Sequence, residues 1–194
     1  MYYPVAVGGP LTKIVDGMVA EFEKQNPDVK VNAIYAGNYN DARIKAAIPT
    51  ISYALSEGAN VGIISHLGRP IEGKFDSKQS LKIVAERLSE ILNKKVFFSE
   101  DVIGKDAVRK SSELKRGEVL LLENVRFHNE ETAGDIDFSR DLSKLGDCYI
   151  NDAFGTTHRE HASTATVAKF FEIKCAGLLL QRDCLLYTSP SPRD

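Results

Sequence analysis

Short β-rich apolar runs alternate with amphipathic stretches along the chain. The runs at 2–7, 29–35, 60–65, 95–98, 119–122 and 148–150 have the length and composition of strands. Residues 11–25 carry Ile14, Val15, Met18, Val19 and Phe22 on one helical face, and Asn26-Pro27 ends the pattern, because a residue before proline is pushed out of the helical region. Residues 41–57 repeat the period with Ile44, Ala47, Ile48, Ile51 and Leu55 and close on Gly58. Residues 80–92 repeat it again with Leu81, Val84, Leu88 and Leu92. Val61-Gly62-Ile63-Ile64 and Val119-Leu120-Leu121-Leu122 are apolar throughout instead of alternating, as strands covered on both faces must be. Strand, helix and strand in succession predict an α/β fold with a doubly wound, mostly parallel, Rossmann-like three-layer sheet in a single domain. The strands at 61–65, 95–98, 119–122 and 148–150 are expected at its centre. Those at 2–7 and 29–35 should fill out the sheet or lie beside it.

Composition narrows the partners. With 43% hydrophobic residues in 194, the chain can bury a core. A net charge of −2 argues against nucleic acid or a membrane surface, both of which call for a basic excess. Cys148, Cys175 and Cys184 lack metal-ligand spacing and cannot all pair, so they read as buried or spare thiols with no disulfide and no metal. No apolar run reaches the roughly 20 residues needed to span a bilayer, and the first residues lack a cationic start followed by an apolar stretch. The expectation is a cytoplasmic monomer.

Candidate chemistry lies just after the strands. In open α/β sheets, ligands bind in the crevice beyond the carboxyl ends of the strands. Here Ile63-Ile64-Ser65 is followed by His66-Leu67-Gly68-Arg69-Pro70, and Leu122-Glu123-Asn124 by Val125-Arg126-Phe127-His128. Tyr149-Ile150 is followed by Asn151-Asp152-Ala153-Phe154-Gly155-Thr156-Thr157-His158-Arg159-Glu160-His161. All four histidines of the chain fall in these three segments, each with an arginine. Ordinary surface placement explains any one of them; their recurrence at three strand ends describes a cationic rim. Guanidinium cannot shed its proton, so clustered arginines repel unless an anion neutralises them, and phosphate or carboxylate fits their planar forks.

These three segments resemble signature motifs of phosphoglycerate kinase, in that family's order and spacing. Asp41-Ala42-Arg43-Ile44-Lys45-Ala46-Ala47-Ile48-Pro49-Thr50-Ile51 is similar to the helix preceding them, and Ala176-Gly177-Leu178-Leu179-Leu180 to the end of the family's amino-terminal, substrate-binding domain. The resemblance, over about 41–181, implies phosphoryl transfer between 1,3-bisphosphoglycerate and ADP, giving 3-phosphoglycerate and ATP with magnesium. It implies that His66, Arg69, Arg126 and Arg159 hold 3-phosphoglycerate or 1,3-bisphosphoglycerate. It also implies that Arg43 stabilises the transferring phosphoryl group, which suits a loose transition state that spreads negative charge over its equatorial oxygens. His128, His158 and His161 are expected to support the site, and Gly68 and Gly155 to serve tight turns.

The departures are equally specific. The family's domain opens on a strand ending in an Asp-Phe-Asn-Val-Pro segment whose Asp and Asn bind the glycerate, and nothing like it is present. Residues 1–40 instead resemble the start of a periplasmic solute-binding protein of an ABC transporter, with the join near 38–43. The alternative function is therefore a solute-binding module, which calls for a signal peptide and a second lobe on the same pattern. A non-catalytic anion-binding domain is a third reading. Residues 184–194 read codon for codon as a translated transposase-type sequencing adaptor, expected to be a disordered tail. The kinase-like part, 41–183, is thus expected to be an incomplete domain. Magnesium ATP or ADP belongs to the family's second domain and is not expected to bind this chain. Gly8-Gly9-Pro10 lacks the lysine and hydroxyl of a phosphate-binding loop.

Overall fold

Residues 2–3, 10–28, 34–35 and 39–188 are described in the computed structural model, and they fall into two units, Met1–Ala46 and Ala47–Asp194. In the first unit, β1 (Tyr2–Tyr3) and β2 (Ile34–Tyr35) pair in parallel, and α1 (Pro10–Gln25) lies between them in sequence. The backbone N–H and the side-chain amide of Asn26 both donate to the Phe22 carbonyl at 2.9 Å, closing the helix where Pro27 forbids another turn. Met18 and Phe22 of its apolar stripe are exposed. Periodicity marks a face that can be buried without supplying the surface that buries it. Residues 4–7 and 29–33, also expected in strands, lie outside the described residues.

The helix α2 (Tyr39–Ser56) runs across the boundary between the units. It ends as its sequence predicts: Gly58 takes φ +79°, its N–H donates to Leu55 O at 3.0 Å, and the Ala59 N–H donates to Ala54 O at 3.0 Å. This double closure needs a left-handed residue, which glycine supplies at no steric cost. In the second unit, β3 (Val61–Ile63), β4 (Val96–Phe98) and β5 (Val119–Leu121) form a parallel sheet of order β3-β5-β4. Val119, Leu120 and Leu121 are wholly buried, as the unbroken apolar run requires of a central strand with layers on both faces.

Helices cover this sheet. On α3 (Lys82–Leu92), Leu88 is buried together with the preceding Leu81, and Asn93 closes the helix at φ +48°. The helix α4 (Lys105–Glu113) starts on the Asp101 carboxylate, which accepts from Asp106 N at 3.1 Å and Ala107 N at 2.8 Å. Two short helices follow, α5 (Asn129–Ala133) and α6 (Ile136–Ser143), the second capped by Asp135, which accepts from Phe138 N at 2.8 Å. Leu120 and Leu122 pack with Val102, Val125, Phe138, Leu142 and Val167 in one core. Burying each such side chain stabilises the fold by about 1.5–3 kcal/mol.

The strand β6 (Cys148–Asn151) corrects the expected single sheet. It pairs in parallel with β7 (Ile173–Ala176), a strand the sequence reading missed, and not with the β3-β5-β4 sheet. An apolar pattern locates a strand, while its neighbour is set by tertiary packing. On β6 the exposed and half-buried positions alternate, and β7 is exposed throughout, so Cys148 and Cys175 are exposed thiols and not core residues. Finally, α7 (Leu178–Thr188) starts on the Asp152 carboxylate, which accepts from Leu179 N at 2.9 Å and Leu180 N at 3.1 Å. This helix continues through Cys184–Thr188 of the expected disordered tail, because residues 178–188 contain no glycine or proline to stop it. Residues 189–194 lie outside the described residues. Among those described, no helix is long and apolar enough to cross a membrane.

Candidate functional site

The end of β5 organises the rim. Glu123 is buried, 4% exposed, and its carboxylate accepts from Leu81 N at 2.8 Å, Asn124 N at 2.7 Å and Ser80 Oγ at 2.7 Å. Three donors offset the desolvation of a charge that would otherwise be costly inside the fold. Asn124 is fully buried. Its amide donates to Leu67 O at 2.8 Å and Gln79 O at 2.9 Å, and its oxygen accepts from Arg126 N at 3.1 Å. A bond from Val125 N to Ser65 O, 3.2 Å, ties the same loop to the end of β3. Two adjacent polar residues thus hold the segment carrying His66 and Arg69 against the turn carrying Arg126. The sequence reading placed both within a motif but assigned neither a role; two uncharged-run-breaking polar residues directly after four apolar ones were the available signal.

The turn at Gly68 needs its glycine. It takes φ +67°, and a Cβ there would lie 3.2 Å from Gln79 Nε2. Gly155 differs from expectation, since it has no positive φ and a Cβ would meet nothing within 4 Å. His66 is half-buried beside the exposed Arg69. Arg126 is also half-buried, and its Nε is enclosed without a hydrogen-bond partner. Burial pushes its guanidinium below the usual arginine range; Arg159 and Arg69 push the same way, while Glu131 and Glu72 oppose them. Arg159 and Arg69 thus lie near enough for their charges to act on Arg126, although the three come from three different strand ends.

The third segment is held from several sides. Arg159 is exposed, with its N–H donating to Thr156 O at 3.0 Å and its Nε to His158 Nε2 at 3.3 Å. Glu131, 2% exposed, accepts from Ser163 N at 2.9 Å and Ser163 Oγ at 2.6 Å. Tyr149 donates its hydroxyl to Ser163 O at 2.8 Å and Thr164 O at 3.2 Å, and burial pushes its pKa up to about 12. His161 is pushed below the usual histidine value by burial, with Arg126, Arg159 and His158 acting the same way against Glu131. His128 is lowered too, mainly by burial, and its ring lies 5.0 Å from Phe138. Both shifts favour the neutral imidazole.

Arg43 is exposed on α2 and belongs to the first unit. An apolar cleft of about 270 Å³ lies elsewhere in the second unit, lined by Thr50, Tyr53, Ile150, Cys175 and Leu178 among others. None of the predicted site residues lines it. The described residues contain no group of three or more His, Cys, Asp or Glu side chains able to hold a metal ion.

A family model described as phosphoglycerate kinase matches residues 28–189. A phosphoglycerate kinase from Campylobacter curvus is 53% identical over 146 residues, which are 74% of this chain and 36% of that protein. One from Nautilia profundicola is 51% identical over the same shares. Among solved structures, phosphoglycerate kinase from Coxiella burnetii superposes with a TM-score of 0.69 at 41% identity, covering 77% of this chain and 37% of that one. The enzyme from Pyrococcus horikoshii also gives 0.69, at 35% identity, covering 81% and 41%. The chain thus spans little more than a third of the length of the curated relatives it matches. The matched region opens at 28, inside the stretch 1–40 that the sequence reading set apart. None of these relatives supports the solute-binding alternative.

Proposed function

The chain belongs to the phosphoglycerate kinase family, and from that premise we propose that its rim of Arg69, Arg126 and Arg159, with His66, binds 3-phosphoglycerate or 1,3-bisphosphoglycerate. The observation that carries this is the enclosed, unpartnered Nε of Arg126 in the field of two further arginines. A buried guanidinium donor without an acceptor is costly, and two neighbouring cations raise that cost. An anionic oxygen supplies the acceptor and the countercharge together. The family reaction moves a phosphoryl group between 1,3-bisphosphoglycerate and ADP with magnesium. In that reaction this rim holds the acid, and Arg43 meets the charge on the transferring group.

That reaction also needs a magnesium nucleotide, and Gly8-Gly9-Pro10 lacks the lysine and hydroxyl of a phosphate-binding loop. A polypeptide of these 194 residues is accordingly expected to bind the acid without turning it over. Holding a donor in line supplies about 7–11 kcal/mol of barrier lowering, so its loss alone removes at least about five powers of ten in rate. In a coupled assay with 1,3-bisphosphoglycerate and magnesium ADP, no turnover above buffer is expected; saturable ATP synthesis by host-kinase-free protein refutes this. Binding is tested by calorimetry. Replacing Arg126 or Arg159 by alanine should weaken 3-phosphoglycerate by about 1.5–3 kcal/mol each, the scale of a charge-assisted hydrogen bond, and unchanged affinity in both variants refutes the site.

A further inference from the structure

We infer that Glu131 is a positioning residue, which through its two hydrogen bonds to Ser163 holds the segment running from Arg159 beside Arg126. The inference rests on the acid-binding reading above and adds to it a residue that touches no ligand. Glu131 stands three residues after the turn that carries Arg126 and His128, and its N–H donates to His128 O at 3.2 Å. Its side chain reaches across to the other segment. Oε2 accepts from Ser163 N at 2.9 Å, Oε1 accepts from Ser163 Oγ at 2.6 Å, and Oε1 lies 3.9 Å from His161 Nδ1. One carboxylate therefore joins the Arg126 turn to the Arg159 segment over a sequence separation of 32 residues.

The rest of that segment is restrained by neutral groups, which leaves Glu131 as its charged anchor. Thr164 Oγ1 donates to Arg159 O at 3.2 Å, Asn151 Nδ2 to Thr164 O at 3.3 Å, and Thr166 Oγ1 to Gly134 O at 3.2 Å. Residues Ala162–Thr166 form a single wide π-helical turn, a geometry that recurs at functional sites and leaves backbone groups for side chains to satisfy. A carboxylate that is 2% exposed needs donors and countercharge. Ser163 supplies the donors. The groups that feel its charge are Arg126, His161, His128 and Tyr149, and those acting on His161 besides Glu131 are Arg126, Arg159 and His158. The negative charge opposes anion binding by simple Coulomb attraction to the rim, so a benefit to binding has to come through geometry.

That conflict of signs makes the inference testable. Glu131→Ala removes both the charge and the hydrogen bonds. Glu131→Gln removes the charge but keeps an oxygen for Ser163 N and an amide for Ser163 Oγ. Ser163→Ala keeps the charge and loses one bond. We expect 3-phosphoglycerate affinity to fall on the order of tenfold in Glu131→Ala and by less in Ser163→Ala, and to return to within about threefold of the parent in Glu131→Gln. The Ser163 amide should exchange faster in Glu131→Ala and recover protection in Glu131→Gln. By NMR titration the His161 midpoint should fall in Glu131→Gln, since the charge favouring its imidazolium is gone, and stay in place in Ser163→Ala. Parent-like affinity in Glu131→Ala, or a loss in Glu131→Gln as large as in Glu131→Ala, overturns the inference. Should the parent chain bind no 3-phosphoglycerate, the acid-binding reading fails by itself; the exchange and titration measurements need no ligand, and Ser163 protection unchanged in Glu131→Ala then refutes the positioning role.

Discussion

Replacing Glu123 by alanine tests whether a buried carboxylate at the end of β5 organises the rim. The substitution strands two backbone donors, Leu81 N and Asn124 N, both on buried residues, together with the Ser80 hydroxyl. An unsatisfied buried donor costs about 1–3 kcal/mol. The half-buried Ser80 hydroxyl can turn toward solvent, so the two amides set the scale at about 2–6 kcal/mol. Glutamine at the same position keeps one accepting oxygen and should cost about 1–2 kcal/mol. Urea unfolding followed by far-ultraviolet circular dichroism measures the shift in midpoint at constant slope, and amide exchange at Leu81 localises it. The loss should be accompanied by weaker 3-phosphoglycerate binding, because Asn124, which holds Leu67 and Arg126, loses the acceptor for its own N–H. A destabilisation of Glu123→Ala below about 1 kcal/mol, with Leu81 still protected, would show that the three contacts contribute no more than ordinary surface hydrogen bonds.

Other consequences are more local. Asp106 is held down to about 2, first by its hydrogen bond to Lys110, with Glu100 N and Arg109 adding to it against the effect of burial. Its stabilising contribution is full above the unfolded carboxylate value and is lost as the pH falls through about 2, so NMR should place the Asp106 midpoint there and Lys110→Met should move it upward; a midpoint indifferent to Lys110→Met refutes the pairing. Gly68→Ala forces a side chain into φ +67° and against Gln79, for a cost of about 1–2 kcal/mol and weaker acid binding. Gly155→Ala, where a Cβ meets nothing within 4 Å, should leave both unchanged.

How much of this was legible in the sequence depended on the range of the interaction concerned. The unbroken apolar run at Val119–Leu121 announced a strand with two covered faces, because burial on both sides leaves its mark on every residue. The stop at Gly58 was equally plain, since only a left-handed residue closes the helix in that way. The partner of β6 was not legible. Nothing in Cys148–Asn151 distinguishes a neighbour in the β3-β5-β4 sheet from one at Ile173–Ala176, whose lysine and lack of alternation hid it as a strand. In the site, the three arginines stood out because charge recurred at strand ends; the charges of Arg159 and Arg69 both act on Arg126. Glu123, Asn124 and Glu131 did not stand out. A buried carboxylate is recognised by the donors around it, and here all but Asn124 N come from Leu81, Ser80 and Ser163, 32 or more residues away in the chain. Arg43 was read as part of the site from its motif alone, and its place on α2 in the first unit leaves that role to be tested by substitution.

Arginines from separate strand ends that grip one anion must be energetically coupled, and a double-mutant cycle between Arg126 and Arg159 measures that coupling. Calorimetric affinities for 3-phosphoglycerate are needed for the parent, Arg126→Ala, Arg159→Ala and the double variant under one salt condition. Two side chains gripping the same phosphate share a partner and each other's field, so the losses should be non-additive, with a coupling of about 0.5–3 kcal/mol. Losses that add to within about 0.3–0.5 kcal/mol, as independent sites do, would contradict a shared anion site.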